Sequence, residues 1–265
     1  MKRISRWLLP VIAAFAGLTR LESFAQNTNE AVSGPAAIES TLTAGPNTAI
    51  IPALRTNPTN WLARHEGFVR QARQGGIDIL FMGDSITDGW RNRGLNVWNK
   101  YYAPLHAANF GIGGDRTEHV LWRMENGELD GIKPRVVVLM IGTNNTGKDR
   151  ATKKTVNTTP EIVAGVQAVV RELRTKLPES KILLLAIFPR GLPEDPQRAQ
   201  VAQVNAALVK LDDGKMVKYL DIGPKFLEAD GTLPRSIMPD LLHPNAQGYQ
   251  IWAEAMEPAL DEMMK

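Results

Sequence analysis

The 265-residue sequence contains no cysteine. That absence removes disulfides, thiolate metal ligands, a cysteine nucleophile and a lipid-modified cysteine anchor together. A strong charge of one sign is also missing: 31 Lys+Arg stand against 28 Asp+Glu, and the surplus sits at the front. Within the first 25 residues Lys2, Arg3, Arg6 and Arg20 face only Glu22. Taking those four bases and one acid away leaves 27 of each sign. No electrostatic argument for nucleic acid or for an anionic membrane survives that subtraction. Long apolar runs are missing as well. The longest, Trp7 to Leu18, falls short of the roughly 18–20 residues that a spanning helix needs. There is no internal repeat and no heptad pattern.

What the N-terminus does have is a basic start, a short apolar run and Ser23-Phe24-Ala25 as a small-x-small cleavage site. This pattern predicts a signal peptide over 1–25 and a secreted or periplasmic protein with no membrane span after cleavage. Residues 26–57 are rich in Asn, Thr, Ala, Pro and Gly and are expected to be a flexible linker with little chemistry. From residue 58 to 265 the pattern changes. Apolar runs at Ile77 to Met82, Ala107 to Phe110, Val136 to Ile141, Ile182 to Ile187 and Val217 to Leu220 alternate with helical periodicities near 61–72, 116–126, 160–176, 196–211 and 246–263. Continuous apolar strands separated by helices predict one α/β domain, a three-layer α/β/α sandwich on a parallel, flavodoxin-like sheet.

In such sheets ligands bind beyond the carboxyl ends of the strands, so the residues just after each apolar run carry the argument. Gly83-Asp84-Ser85-Ile86-Thr87 follows the first run. A serine on that turn either presents its hydroxyl to the crevice or caps a helix. The G-x-S-x-G elbow of ordinary α/β-hydrolases is absent. Gly111-Ile112-Gly113-Gly114-Asp115 follows the second run and lets a ligand approach free backbone N–H groups, but it fits neither the dinucleotide nor the Walker spacing. Gly142-Thr143-Asn144-Asn145 follows the third and offers an amide donor. Pro239-Asp240-Leu241-Leu242-His243-Pro244 puts a carboxylate and an imidazole three residues apart on a turn, where one can orient the other as a base toward Ser85. Four such features at the ends of different strands supply nucleophile, base, orienter and oxyanion donors.

These residues resemble the SGNH (GDSL-type) esterases and lipases. The four family blocks are matched by Gly83-Asp84-Ser85, by Gly114 within Asn109 to Gly114, by Asn144 in Gly142-Thr143-Asn144, and by Asp240-Leu241-Leu242-His243. Within the family the chain is most similar to the catalytic subunits of the platelet-activating-factor acetylhydrolase branch, through Asn109 to Asp115, His119 to Arg123, Asn126 to Leu129, Asn145 and Pro189-Arg190-Gly191. The resemblance implies a Ser85–His243–Asp240 triad, an oxyanion hole from the N–H groups of Ser85 and Gly114 and the Asn144 amide, no cofactor and no metal, and a homodimer. It implies an acyl-enzyme mechanism on carboxylic esters. Two departures stand out: that branch is cytosolic, and the stretch Thr146 to Thr159 looks like an insertion that rims the pocket.

Ile86, Thr143 and Leu242 neighbour the proposed catalytic positions and are expected to wall a pocket for short acyl groups such as acetyl, on a small-molecule or polysaccharide ester. A lysophospholipase or longer-chain lipase is the alternative within the same fold. Two other classes remain open on residue types alone: a metal-dependent phosphoesterase using Asp84, Asp88, Asp240 and His243, and a non-catalytic carbohydrate-binding protein with Trp90, Trp98 or Trp122 as a sugar platform. Asn144-Asn145-Thr146 and Asn157-Thr158-Thr159 also fit the glycosylation pattern.

Overall fold

A computed structural model describes residues 45–56, 60–149 and 152–265. The expected signal peptide over 1–25 and the linker up to residue 44 lie outside them. Five strands, β1 (Ile79–Gly83), β2 (Ala107–Gly111), β3 (Val136–Met140), β4 (Lys181–Leu185) and β5 (Val217–Leu220), form one sheet in the order β2-β1-β3-β4-β5. Every pairing is parallel. Around it lie helices α1 (Trp61–Gln74), α2 (Ser85–Asp88), α3 (Leu95–Tyr101), α4 (Thr117–Arg123), α5 (Thr159–Lys176), α6 (Pro196–Leu208) and α7 (Ala246–Met264).

Side chains alternate across the strands, and this alternation builds the three layers. Leu80, Met82, Val137, Leu139, Ile182 and Leu184 pack with residues of α1, α4, α5 and α6. Ile79, Phe81, Val136, Val138, Leu183 and Leu185 pack on the opposite face with Trp90, Val97 of α3 and Tyr249, Trp252 and Met256 of α7. β1 and β3 are buried throughout and read as unbroken apolar runs, whereas β5 at the sheet edge is partly buried and carries Lys218.

Element boundaries move by a few residues. Ile77 is buried but stands ahead of the ladder, and Ala186 and Ile187 stay buried after β4 ends. Helix α4 stops at Arg123 because Asn126 and Gly127 (φ 91°) leave helical geometry. The short helices α2 and α3 have no counterpart among the periodicities, since four and seven residues give too little repeat to read.

One expectation needs correction. Residues 45–56 are not a free linker: they form a strap on the domain. Ala49 is fully buried, its carbonyl accepts from Thr117 Oγ1 at 2.8 Å, Asn157 Nδ2 donates to Thr48 Oγ1 at 3.0 Å, and Ala53 N–H donates to the Glu118 carbonyl at 3.0 Å. The apolar signal was invisible because one buried alanine makes no period. The backbone polar groups carry the docking.

Candidate active site

The register of the sheet sets the site. Gly83 pairs with Gly111 on one side and with Met140 on the other, so β1, β2 and β3 end level with one another. The chain leaves β1 toward β2, then crosses back to β3, which opens a crevice above β1. Ser85, Gly113, Gly114, Asn144 and His243 are partly exposed there, while Asp84, Ile86, Thr87, Thr143 and Asn145 around them are buried.

Ser85 opens α2. Asp84 precedes it and accepts the Ile86 N–H at 2.9 Å, which caps the helix and holds the turn. A side chain at Gly83 would strike the Met140 carbonyl and Thr87, so the strand can turn this tightly only with glycine there. Burial pushes the Asp84 carboxyl up to about 7, with Asp115 adding to the effect and the Ile86 N–H and Arg190 opposing it.

Ser85 Oγ lies 2.9 Å from His243 Nε2, and His243 Nδ1 lies 2.6 Å from Asp240 Oδ2. The other Asp240 oxygen accepts the backbone N–H groups of Leu242 at 3.1 Å and His243 at 2.8 Å. One carboxylate therefore orients the ring and closes the turn that carries it, with Leu241 in the left-handed region (φ 58°) between them. Burial raises the Asp240 carboxyl, but the hydrogen bonds from the His243 side chain and backbone outweigh it and hold Asp240 below the usual carboxylate range.

Across the crevice, Asn144 Nδ2 donates to the Asp115 carbonyl at 2.9 Å. An amide nitrogen has two hydrogens, so this bond fixes the group and leaves a second N–H to offer. Asp115 itself is buried: its Oδ1 accepts from Trp61 Nε1 at 2.7 Å and from Arg55 Nη1 at 3.2 Å, and its Oδ2 forms an ion pair with Arg123 Nε at 3.0 Å. Arg123 also pairs with Glu128 and donates to the Phe110 carbonyl. His119 Nδ1 accepts the Arg116 N–H at 2.9 Å. Burial, with Arg55, Arg116 and Arg123 adding to it, lowers His119 to about 3 and keeps it a neutral acceptor.

The expected pocket walls behave differently from one another. Ile86 is 1% exposed and packs in the core beside Trp90, so it presents no open wall; its carbonyl accepts from Tyr249 Oη at 2.6 Å. Thr143 is equally buried, with its carbonyl and hydroxyl both taken by Arg190 Nη1 at 3.1 Å. Leu242 is the partly exposed member of the three. Trp90 is fully buried against Phe81, Tyr249 and Trp252, which makes it core and not a sugar platform. Asn145 and Asn157 are buried and bonded to each other at 2.9 Å, so the second sequon is closed in the folded chain. As for the hard-ligand set, Asp88 is gripped by Arg64 at 2.6 and 2.8 Å and by Arg91 at 3.3 Å. In the stretch Thr146 to Thr159, Lys148 bridges Thr155, and the Val156 N–H donates to the Gly147 carbonyl at 2.9 Å.

Arg55, Trp61 and Arg190 were not singled out as site residues. Arg190 lies in the Pro189-Arg190-Gly191 stretch, a signal that was present in the sequence. Arg55 had none, because its partners lie nearly 60 residues away.

Residues 81–251 match the GDSL-like lipase/acylhydrolase family. The chain is 40% identical over 190 residues to the human platelet-activating factor acetylhydrolase IB subunit alpha2, covering 71% of this chain and 78% of the relative. To the human alpha1 subunit it is 35% identical over 201 residues, with coverage of 76% and 82%. Among solved structures, an acetylxylan esterase from Geobacillus stearothermophilus superposes with a TM-score of 0.56 at 25% identity, covering 71% of this chain and 94% of that one. A chain whose family profile spans the nucleophile turn, the glycine loop and the Asp240–His243 turn belongs to the GDSL-like lipase/acylhydrolase family and is a hydrolase of carboxylic esters.

Proposed function

We propose that the protein is an exported serine esterase that removes short acyl groups, acetyl first, from a carbohydrate or lipid ester. The relay of 2.9 Å from Ser85 to His243 and 2.6 Å from His243 to Asp240 carries the reading. In it, His243 Nε2 takes the Ser85 proton as Oγ attacks the ester carbonyl, and Asp240 holds the ring with Nδ1 protonated. The carbonyl oxygen becomes an oxyanion facing the N–H groups of Ser85 and Gly114 and the second N–H of Asn144. His243 then passes its proton to the leaving alkoxide, releasing the alcohol and leaving an acyl-Ser85. Water attacks that ester with His243 again as base, and the acid departs. No other group is required for the proton balance.

The acetyl preference is supported by the names of the relatives, which are an acetylhydrolase and an acetylxylan esterase. A cavity of about 490 Å³ beyond β4 and β5, lined by Pro189, Val201, Val209 and Leu227 among others, includes none of Ser85, Asn144 and His243 and carries no argument about acyl length. The export part rests on the sequence pattern of residues 1–25.

Two measurements test this. A fluorophosphonate should label the parent protein on Ser85 and leave Ser85→Ala unlabelled; labelling elsewhere with hydrolysis retained in Ser85→Ala would reject the nucleophile. A p-nitrophenyl ester panel from acetate to palmitate, beside acetylated xylan, should peak at two to four carbons. A peak at eight or more would move the assignment to the longer-chain reading.

A further inference from the structure

The strap reaches the crevice through one side chain. Arg55 Nη1 donates to the Gly113 carbonyl at 2.6 Å and to Asp115 Oδ1 at 3.2 Å. The Gly113 carbonyl and the Gly114 N–H belong to the same planar peptide and point in opposite directions. Whatever grips the carbonyl therefore aims the N–H. A peptide between two glycines has little side-chain packing to resist rotation, and Gly114 is already in the left-handed region (φ 81°). The guanidinium also lies against Gly114: a Cβ there would stand 2.5 Å from Arg55 Nη2 and 3.1 Å from Nη1. Farther back, Arg64 Nη2 holds the Gly111 carbonyl at 2.9 Å, and the Ile112 N–H donates to the Gly83 carbonyl at 3.2 Å, so the start of the loop is pinned to β1. Arg55 pins the end that faces the nucleophile, where the Cβ position of Gly113 is 3.7 Å from Ser85 Cβ.

We infer that Arg55, carried by the strap ahead of the family-matched region, is a positioning residue for the oxyanion loop: its cation fixes and polarises the Gly113–Gly114 peptide so that the Gly114 N–H faces the developing oxyanion. The inference rests on the serine-esterase reading above. A positive charge on a carbonyl withdraws density from its own amide and strengthens the N–H as a donor, in the same sense as cooperative hydrogen-bond chains. The effect belongs to the transition state, where the oxygen carries charge, and little of it to the bound ester.

The test uses the full chain with p-nitrophenyl acetate. Arg55→Gln should lose about 10- to 100-fold in kcat, less than the 100- to 1,000-fold typical of deleting an oxyanion donor outright, with KM changed less than twofold. Arg55→Lys, which keeps the charge and one donor, should recover part of the loss. An alkylboronic acid, which forms a tetrahedral adduct on Ser85, should bind Arg55→Gln more weakly by the same factor as kcat. If Arg55→Gln melts too low to assay, the kcat and boronate factors of Arg55→Lys are compared instead. A kcat within threefold of the parent, a loss carried by KM, or a boronate affinity that does not follow kcat overturns the inference. An inactive Ser85→Ala beside a fully active Arg55→Gln sinks the clamp alone; hydrolysis retained in Ser85→Ala sinks the esterase mechanism itself.

Discussion

Asp84 stands directly before the proposed nucleophile yet is buried, with a carboxyl raised to about 7. Its sign in stability follows from linkage. The unfolded chain releases this proton near pH 4 and the folded chain holds it until about 7, so the folded state binds more protons between those values and stability falls as pH rises through that window. Asn at 84 keeps the acceptor for the Ile86 N–H and cannot ionise. Asp84→Asn should therefore gain stability relative to the parent progressively from pH 4 to 7 and hold that gain above 7, on the order of 4 kcal/mol as an upper bound. Denaturant melts of both proteins at pH 4, 5.5, 7 and 8 read the difference directly, and a constant offset would reject the buried acid. The residues of the crevice differ in how far the sequence disclosed them, and the cause is distance along the chain. Asp240 and His243 are three apart with prolines on both sides, so their meeting is a local matter. Ser85, Gly114 and Asn144 were legible because each follows an apolar strand. Trp61 and Arg55 reach Asp115 across 54 and 60 residues, and nothing local marks such a contact.

Among the elements, β1, β3, β4 and the longer helices could be read because a strand buried on both faces or a helix of 13 to 19 residues repeats itself enough to be seen. The strap could not, since its hold is a set of hydrogen bonds around Ala49. That hold runs through a narrow gap: a Cβ at Gly165 of α5 would lie 2.5 Å from Thr117 Oγ1 and 2.9 Å from the Ala49 carbonyl. Gly165→Val should push the strap off, and it also presses on Thr117, whose hydroxyl accepts from Asn145 Nδ2 at 3.2 Å. Overpacking of this kind costs about 1–3 kcal/mol, so the melting temperature should fall by several degrees. Limited proteolysis should then cut between residues 45 and 56, where the docked strap of the parent is expected to resist. Unchanged cleavage would mean that the strap has another anchor. If Arg55 acts as inferred, kcat falls in this variant too, although residue 165 is remote from Ser85 in sequence.

For the whole molecule, the charge balance is the useful handle. The formal +3 belongs to a segment that carries four bases and one acid, and the rest is neutral. Among the described residues no helix is long and apolar enough to cross a membrane. Expressed in a secreting host with its own N-terminus, the protein should be recovered outside the cytoplasm with a mass that begins at Gln26. Recovery of the 265-residue chain from the cytoplasm alone would overturn the export proposal and leave the esterase chemistry untouched.

The strap also has a place in time. It leaves the ribosome before everything it docks on: Arg55 precedes Gly113 by 58 residues, Ala49 precedes Thr117 by 68, and Thr48 precedes Asn157 by 109. At roughly 5–20 residues per second, the last of those partners emerges about 5–20 s after the strap does. The first residues of this domain to be synthesised therefore wait unpaired for partners far downstream, and the strap cannot finish docking before residue 157 has emerged.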